Sequence, residues 1–176
     1  PVTGTGTDVG LYGIAVQSND YVWVGETRTG IVRRLKVADG SYIWTSSLGS
    51  DGYPYALVID PGRSYLWLTE RDEDQISQME LGTLVIVNSF DIAPASNVRP
   101  TGLTMRGGSQ FWFCGQGNGQ VGQMVYTSPT RYDFELFNLP VGRLWAMDIV
   151  VDQGGFLWTV AYLPQRVFLP VVMKNR

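Results

Sequence analysis

Apolar and polar residues alternate along this chain in runs of about five to eight, and Gly, Pro, Asn and Asp cluster between the runs. A period of two with β-branched and aromatic enrichment predicts strands, and no stretch sustains the i, i+3, i+4 spacing of a helix. The runs themselves recur. Trp23, Trp67, Trp112 and Trp158 follow one another at 44, 45 and 46 residues, each closing a unit of apolar run, turn and apolar-Trp pair: Gly13–Trp23, Ala56–Trp67, Gly102–Trp112 and Asp148–Trp158. Only the second unit carries an extra residue, in its turn. A fixed period of about 40 to 50 residues built from short strands is the signature of β-propeller blades, roughly four strands each. The expected fold is therefore all-β, a single propeller domain or propeller fragment over 1–176, with blades at about 11–48, 53–92, 99–139 and 145–176.

In the first unit, strands are predicted at 13–17, 21–25, 31–37 and 42–48, with Asp39 and Gly40 supplying the positive φ angles of a tight hairpin between the last two. The second gives 56–59, 65–69, 75–80 and 84–91, and the third 102–105, 110–114, 120–126 and 132–139. The fourth supplies only three, at 148–151, 156–161 and 166–172. A propeller closes when strands from both chain ends share a blade, so residues 1–10 are a candidate for the missing outer strand, although their glycines are poor strand formers. The other closure makes these blades the C-terminal part of a ring of six to eight, the remainder lying upstream or in another chain. The sequence opens at Pro1 without an initiating methionine or a leader-like stretch, which fits a processed product or a piece of a longer chain.

Composition narrows the partners. With 44% hydrophobic and 12% aromatic residues the chain can fill a core. Thirteen basic against sixteen acidic side chains leave a charge of -3 and a pI near 4.8, so nucleic acid is not an expected partner. Cys114 is the only cysteine; it excludes an internal disulfide and, set among Phe111, Trp112 and Phe113, reads as a buried structural thiol. No apolar run approaches the ~20 residues that span a bilayer, so membrane association is expected only through a partner.

Candidate chemistry is sparse. The chain has no histidine, so no serine or cysteine has an imidazole to activate it and no Cys/His metal spacing exists; neither catalytic residues nor a cofactor are expected. Gly117, Gly119 and Gly122 match a dinucleotide fingerprint by letter, but a strand follows them where that motif needs a helix. Residues 70–74 are the densest charge cluster and read as a solvated loop, lacking the glycine spacing of a calcium loop. Asp148 replaces the small residues Gly13, Ala56 and Gly102 at the start of an inner strand. With Glu26 and Glu70, each three residues after a repeat tryptophan, it is a candidate for an acidic channel mouth able to hold a cation; the plainer alternative is three carboxylates solvated by channel water. The repeat tryptophans are read as packing residues. Trp44 and Trp145 fall outside the repeat, and Trp145 is placed in the loop entering the fourth inner strand.

The order of small residue after Pro, apolar run, turn and aromatic-Trp, then a polar loop and a Gly-x-Val-Gly stretch, resembles the virginiamycin B lyase-like (streptogramin lyase-like) propellers. Residues 54–57, 100–103 and 117–122 carry the likeness best, and it covers most of 11–167. In that family's lyases the resemblance implies a histidine pair and a glutamate around magnesium, opening a macrocyclic lactone by elimination. A chain without histidine keeps the fold analogy and not the activity. The tail over 166–176 is similar to short apolar Leu-Pro tails of exported proteins from some filamentous phototrophic bacteria, which implies an extracytoplasmic, bacterial setting.

The reading that follows is a non-catalytic propeller acting as a protein-interaction or scaffold module, an accessory subunit of a larger extracytoplasmic assembly. Loops 49–55, 93–101 and 140–146 all lead into inner strands and should share a face; Tyr53, Tyr55, Arg99, Arg143 and Trp145 on them are residue types enriched at interface centres. The alternative is a fragment of a metal-dependent lyase or lactone hydrolase whose catalytic residues lie outside this chain.

Overall fold

Tight turns join successive alternating runs, so each repeat unit folds back on itself as an antiparallel meander. The computed structural model describes residues 10–49, 52–92, 97–139, 145–162 and 168–174. The first blade contains β1 (Leu11–Val16), β2 (Tyr21–Glu26), β3 (Ile31–Lys36) and β4 (Tyr42–Ser47), and the second β5 (Pro54–Ile59), β6 (Tyr65–Glu70), β7 (Gln75–Glu80) and β8 (Val85–Asp91). The third holds β9 (Pro100–Arg106), β10 (Gln110–Gly115), β11 (Gln120–Ser128) and β12 (Arg131–Asn138), and the fourth β13 (Trp145–Val151), β14 (Phe156–Tyr162) and β15 (Phe168–Lys174). Each blade is a separate sheet with its strands in sequence order. No helix occurs among the described residues. Residues 1–9, the candidate closing strand, lie outside them.

The connection between β3 and β4 turns through Gly40, but it is a longer loop over 37–41 and Asp39 does not take the positive φ expected of it; the Asp39 side chain caps the turn instead. Gly40 has φ 69°, and the Asp39 carboxylate accepts from Ser41 N at 2.9 Å and Ser41 Oγ at 2.6 Å. The inner strands depart from expectation by starting earlier, at Leu11, Pro54, Pro100 and Trp145. Trp145 therefore opens a strand, paired with Tyr162, instead of lying in a loop. Each inner strand also breaks register near its start: between Leu11 and Ile14, Pro54 and Leu57, Pro100 and Leu103, and Ala146 and Asp148. A bulge inserts an unpaired residue and re-aims its side chain, which hides these extra residues from a period-two reading.

The core is distributed over the joints between blades. Trp23, Ala15 and Val32 of the first blade pack with Leu57, Leu66, Leu68 and Met79 of the second. Trp67, Ile76 and Phe90 of the second pack with Leu103, Phe111, Phe113 and Met124 of the third. Trp112, Cys114 and Val121 meet Ala146, Ile149 and Leu157 of the fourth. Each repeat tryptophan thus faces the blade that follows it, and Trp158, with no described blade after it, is exposed.

The small residues opening the inner strands follow from the same packing. A Cβ on Gly13 would lie 2.8 Å from the Tyr55 carbonyl oxygen, and one on Gly102 would lie 2.6 Å from Asp148 Cα. Such approaches exclude a side chain. Hydroxyls stitch the joints: Thr27 Oγ1 donates to Pro54 O at 2.9 Å, Thr69 Oγ1 to Thr101 O at 3.0 Å and Thr101 Oγ1 to Ala146 O at 3.1 Å.

Candidate functional site

The inner-strand bulges converge on one cavity of about 360 Å³, lined by Tyr12, Gly13, Tyr55, Ala56, Thr101, Gly102, Met147 and Asp148 among others. All four blades contribute to it. Its lining residues pair up along the repeat: Tyr12, Tyr55, Thr101 and Met147 each directly precede the small or acidic residue that opens the regular part of the strand. That column was visible in the aligned repeat, yet only Tyr55 of the four stands out by residue type.

A chain of contacts runs around the rim of this cavity. The Tyr12 and Tyr55 rings lie 4.6 Å apart, and the Arg71 guanidinium sits 5.2 Å from the Tyr55 ring centroid, within cation–π range. Arg71 Nε donates to Gln116 Oε1 at 2.9 Å, and Gln116 Nε2 donates to Met147 Sδ at 3.3 Å. Asp72 bridges Arg71 at 3.3 Å and Arg99 at 3.0 Å. Burial pushes the Tyr55 phenol above its usual range, with Arg71 pulling the other way, so Tyr55 presents a neutral hydroxyl.

The loop residues expected at an interface are partly gathered here. Tyr53 accepts from Arg71 N at 3.1 Å through its carbonyl, Tyr55 stands on the rim, and Arg99 projects from a loop whose backbone Asp74 holds by accepting from Asn97 N at 2.7 Å and Arg99 N at 2.6 Å. The acidic cluster is therefore not simply a solvated loop: Asp72 and Asp74 tie down a segment some 25 residues downstream, a distance no local pattern reveals. Arg143 and the Trp145 side chain lie outside the described residues.

The three candidate carboxylates do not share a mouth. Asp148 lines the central cavity and accepts from its own Ile149 N at 2.8 Å. Glu26 is buried within the first blade, where Arg33 engages both its oxygens and Thr29 Oγ1 donates at 2.9 Å. Glu70 is buried beside Ser77, which donates to it, and borders a second cavity of about 530 Å³ between the first two blades with Glu73, Gln75 and Ser89. Burial raises the Glu70 carboxyl above its ordinary value. Cys114 is buried as expected, its thiol pushed up to about 12 by burial; it is no nucleophile at neutral pH.

No family model matches the chain by sequence, and no curated protein matches it either. Solved structures do. Streptogramin B lyase is 16% identical with a TM-score of 0.74, over 98% of this chain and 58% of that one. The fold is the β-propeller of the streptogramin lyases. A catalytically inactive histidine-to-alanine form of virginiamycin B lyase from Staphylococcus aureus, with quinupristin, aligns at 18% identity and TM-score 0.73 over 98% of this chain and 58% of its own. Hydrazine synthase from Kuenenia stuttgartiensis aligns at 11% identity and TM-score 0.77 over 99% of this chain and 49% of that one. The chain thus spans about half the length of the propellers it matches.

The magnesium implied by the lyase resemblance does not fit the described residues of this chain. Among the described residues Asp148 is the single carboxylate lining the central cavity, and no group of three His, Cys, Asp or Glu side chains is placed to hold a metal. Tyrosine, threonine and a thioether around one carboxylate are a poor magnesium set.

Proposed function

We propose that this chain is a section of a larger propeller and works as a non-catalytic protein-interaction module, an accessory subunit of an extracytoplasmic assembly. The observation that carries the reading is the rim network of Tyr12, Tyr55, Arg71 and Gln116 with Arg99 beside it. It offers aromatic and guanidinium anchors held in place by one another, and it contains no activated nucleophile or general base. Tyr and Arg so arranged are the side chains that dominate interface energetics, and their mutual contacts reduce the ordering cost of binding. Among the described residues no helix is long and apolar enough to cross a membrane.

The test is isolation from the native source by size-exclusion chromatography with light scattering, followed by intact mass of every chain in the peak. A different protein that co-elutes, and is lost or weakened with Tyr55→Ala or Arg99→Glu, supports the interaction role; elution without any different protein overturns it. The second reading, a metal-dependent lyase or lactone hydrolase with its catalytic groups outside these blades, is favoured by the likeness to the streptogramin lyase fold. Magnesium-dependent opening of a streptogramin B lactone by the native material would establish it in place of the first.

A further inference from the structure

The first two blades each end their second strand on a buried carboxylate, and only one of the two has a counter-charge. Glu26 and Glu70 each stand three residues after a repeat tryptophan. Arg33 and Ser77 each follow seven residues later, at equivalent positions of the third strand, opposite Val24 and Leu68. In the first blade Arg33 engages both oxygens of Glu26, the paired contact that a guanidinium and a carboxylate favour. In the second blade a serine holds the arginine's place. Ser77 Oγ donates to Glu70 Oε1 and is linked to Ser89 Oγ at 2.7 Å. Glu70 Oε2 has no hydrogen-bond partner among the described residues; it points toward Gly52, 2.9 Å from where a Cβ would stand there. Glu70 is only 6% exposed, and Gly52 lines with it the cavity of about 530 Å³ between the first two blades, together with Glu73, Gln75 and Ser89. None of the described lining residues is basic, and residues 50 and 51, between Gly49 and Gly52 in the sequence, are Ser and Asp.

We propose that this cavity binds a guanidinium group, which takes beside Glu70 the place that Arg33 takes beside Glu26. A carboxylate buried this deeply is costly unless a cation pairs with it. Glu73 adds a second negative charge to the wall, and burial together with that charge raises the Glu70 carboxyl, with no positive group opposing them. A guanidinium suits the site better than a metal ion or an ammonium. Among the described residues no third His, Cys, Asp or Glu side chain joins these two carboxylates to make a metal's ligand set. An ammonium is a compact point charge, whereas the planar guanidinium brings five N–H donors in a fixed fork, enough for Glu70 Oε2, Glu73 and the hydroxyl of Ser89 together. A volume of about 530 Å³ accommodates the group with its alkyl stem. The lining comes from the first two blades and the loop joining them, a joint that the chain completes by itself. It shares no residue with the lining of the central cavity, so this site and the rim can fail independently.

The experiment is isothermal titration calorimetry of the intact protein at pH 8 with n-butylguanidinium. Saturable binding with a Kd on the order of 1 mM is expected, and n-butylammonium and the neutral n-butylurea should each bind roughly tenfold more weakly or worse. Glu70→Gln keeps an acceptor for Ser77 and removes the charge, so it should fold and lose roughly tenfold or more in affinity. Ser77→Arg rebuilds the first blade's ion pair within the second and should abolish binding by occupying the site; where that variant does not fold, Glu70→Gln decides alone. The tripeptide Gly-Arg-Gly separates the two sources of the group. Binding of the peptide alongside n-butylguanidinium assigns the site to an arginine side chain of another chain, and exclusion of the peptide assigns it to a free guanidinium compound. Absence of saturable binding at about ten times the expected Kd, equal affinity for n-butylurea or n-butylammonium, or wild-type affinity in Glu70→Gln would overturn the proposal.

Discussion

At the scale of single residues, the four repeat tryptophans are not equivalent. Trp23 Nε1 donates to Gln17 Oε1 at 3.1 Å and Trp158 Nε1 to Asp152 Oδ2 at 2.8 Å, in each case to an acceptor six residues earlier. Six residues before Trp112 stands Arg106, which has no acceptor to offer, and the buried Trp112 Nε1 is left without a partner. A buried unsatisfied donor costs about 1–3 kcal/mol. Arg106→Gln restores an acceptor at the right spacing and is expected to stabilise the protein by about 1 kcal/mol in urea unfolding, net of the guanidinium's contact near Gly155; a destabilised variant would show that contact to be the stronger. Glu70 makes a second test. Its carboxyl is raised above the ordinary 4.5, first by burial, with the Ser77 hydroxyl opposing and Glu73 adding to the rise. A carboxyl raised in the folded state favours folding while protonated. Its contribution is fully present below the ordinary value and is lost as pH climbs through the raised one. Glu70→Gln keeps an acceptor for Ser77 and removes the charge, so it should be more stable than wild type at pH 8 and equal to it near pH 4. A stability gap that does not change with pH would show that Glu70 does not titrate between the two.

At the scale of elements, the strands behave as their alternation predicts because each buries one face in a joint and register errors would expose it. Cross-strand fit sharpens this. Phe113 lies opposite Gly122 on β11, and a Cβ at 122 would fall 2.0 Å from the Phe113 ring; the ring in turn meets Phe134 edge-on at 6.0 Å. Gly122→Ala must displace a fully buried aromatic and should cost about 1–3 kcal/mol, the usual penalty of overpacking, read as a lower urea midpoint with unchanged slope. Wild-type stability in this variant would mean that the ring can move aside. The strands and their order were legible from periodicity, as was the left-handed glycine at Gly40, because local chemistry decides them; the positive φ expected at Asp39 is absent, since its carboxylate caps the turn instead. The bulges were not, since an inserted residue breaks the very alternation by which a strand is recognised. That is why Tyr12, Thr101 and Met147 escaped notice as cavity-lining residues and why Trp145 read as loop. The roles of Asp72 and Asp74 were equally hidden, because they are fixed by a loop that only the blade-to-blade packing brings near.

At the scale of the whole molecule, Asp148 departs from the pattern by which the inner strands pack on one another. In the first and third blades the position facing the next inner strand is glycine, because the neighbouring backbone comes within about 3 Å of where a Cβ would stand. The fourth blade has Asp148 there, and its carboxylate turns back to its own strand at Ile149 N. The third joint does not need that carboxylate, because the close approach there is between Gly102 and backbone atoms of residues 148 and 149. What the side chain contributes is an acceptor for Ile149 N and a charge in the cavity that all four inner strands line. Asp148→Asn keeps the acceptor and removes the charge, whereas Asp148→Gly removes both and adds the backbone freedom of glycine within a strand. The Gly variant should therefore lose about 1 kcal/mol in urea unfolding while the Asn variant stays within about 0.5 kcal/mol of wild type. Equal losses in the two would show that the charge, and not the hydrogen bond to Ile149, is what the fourth inner strand uses.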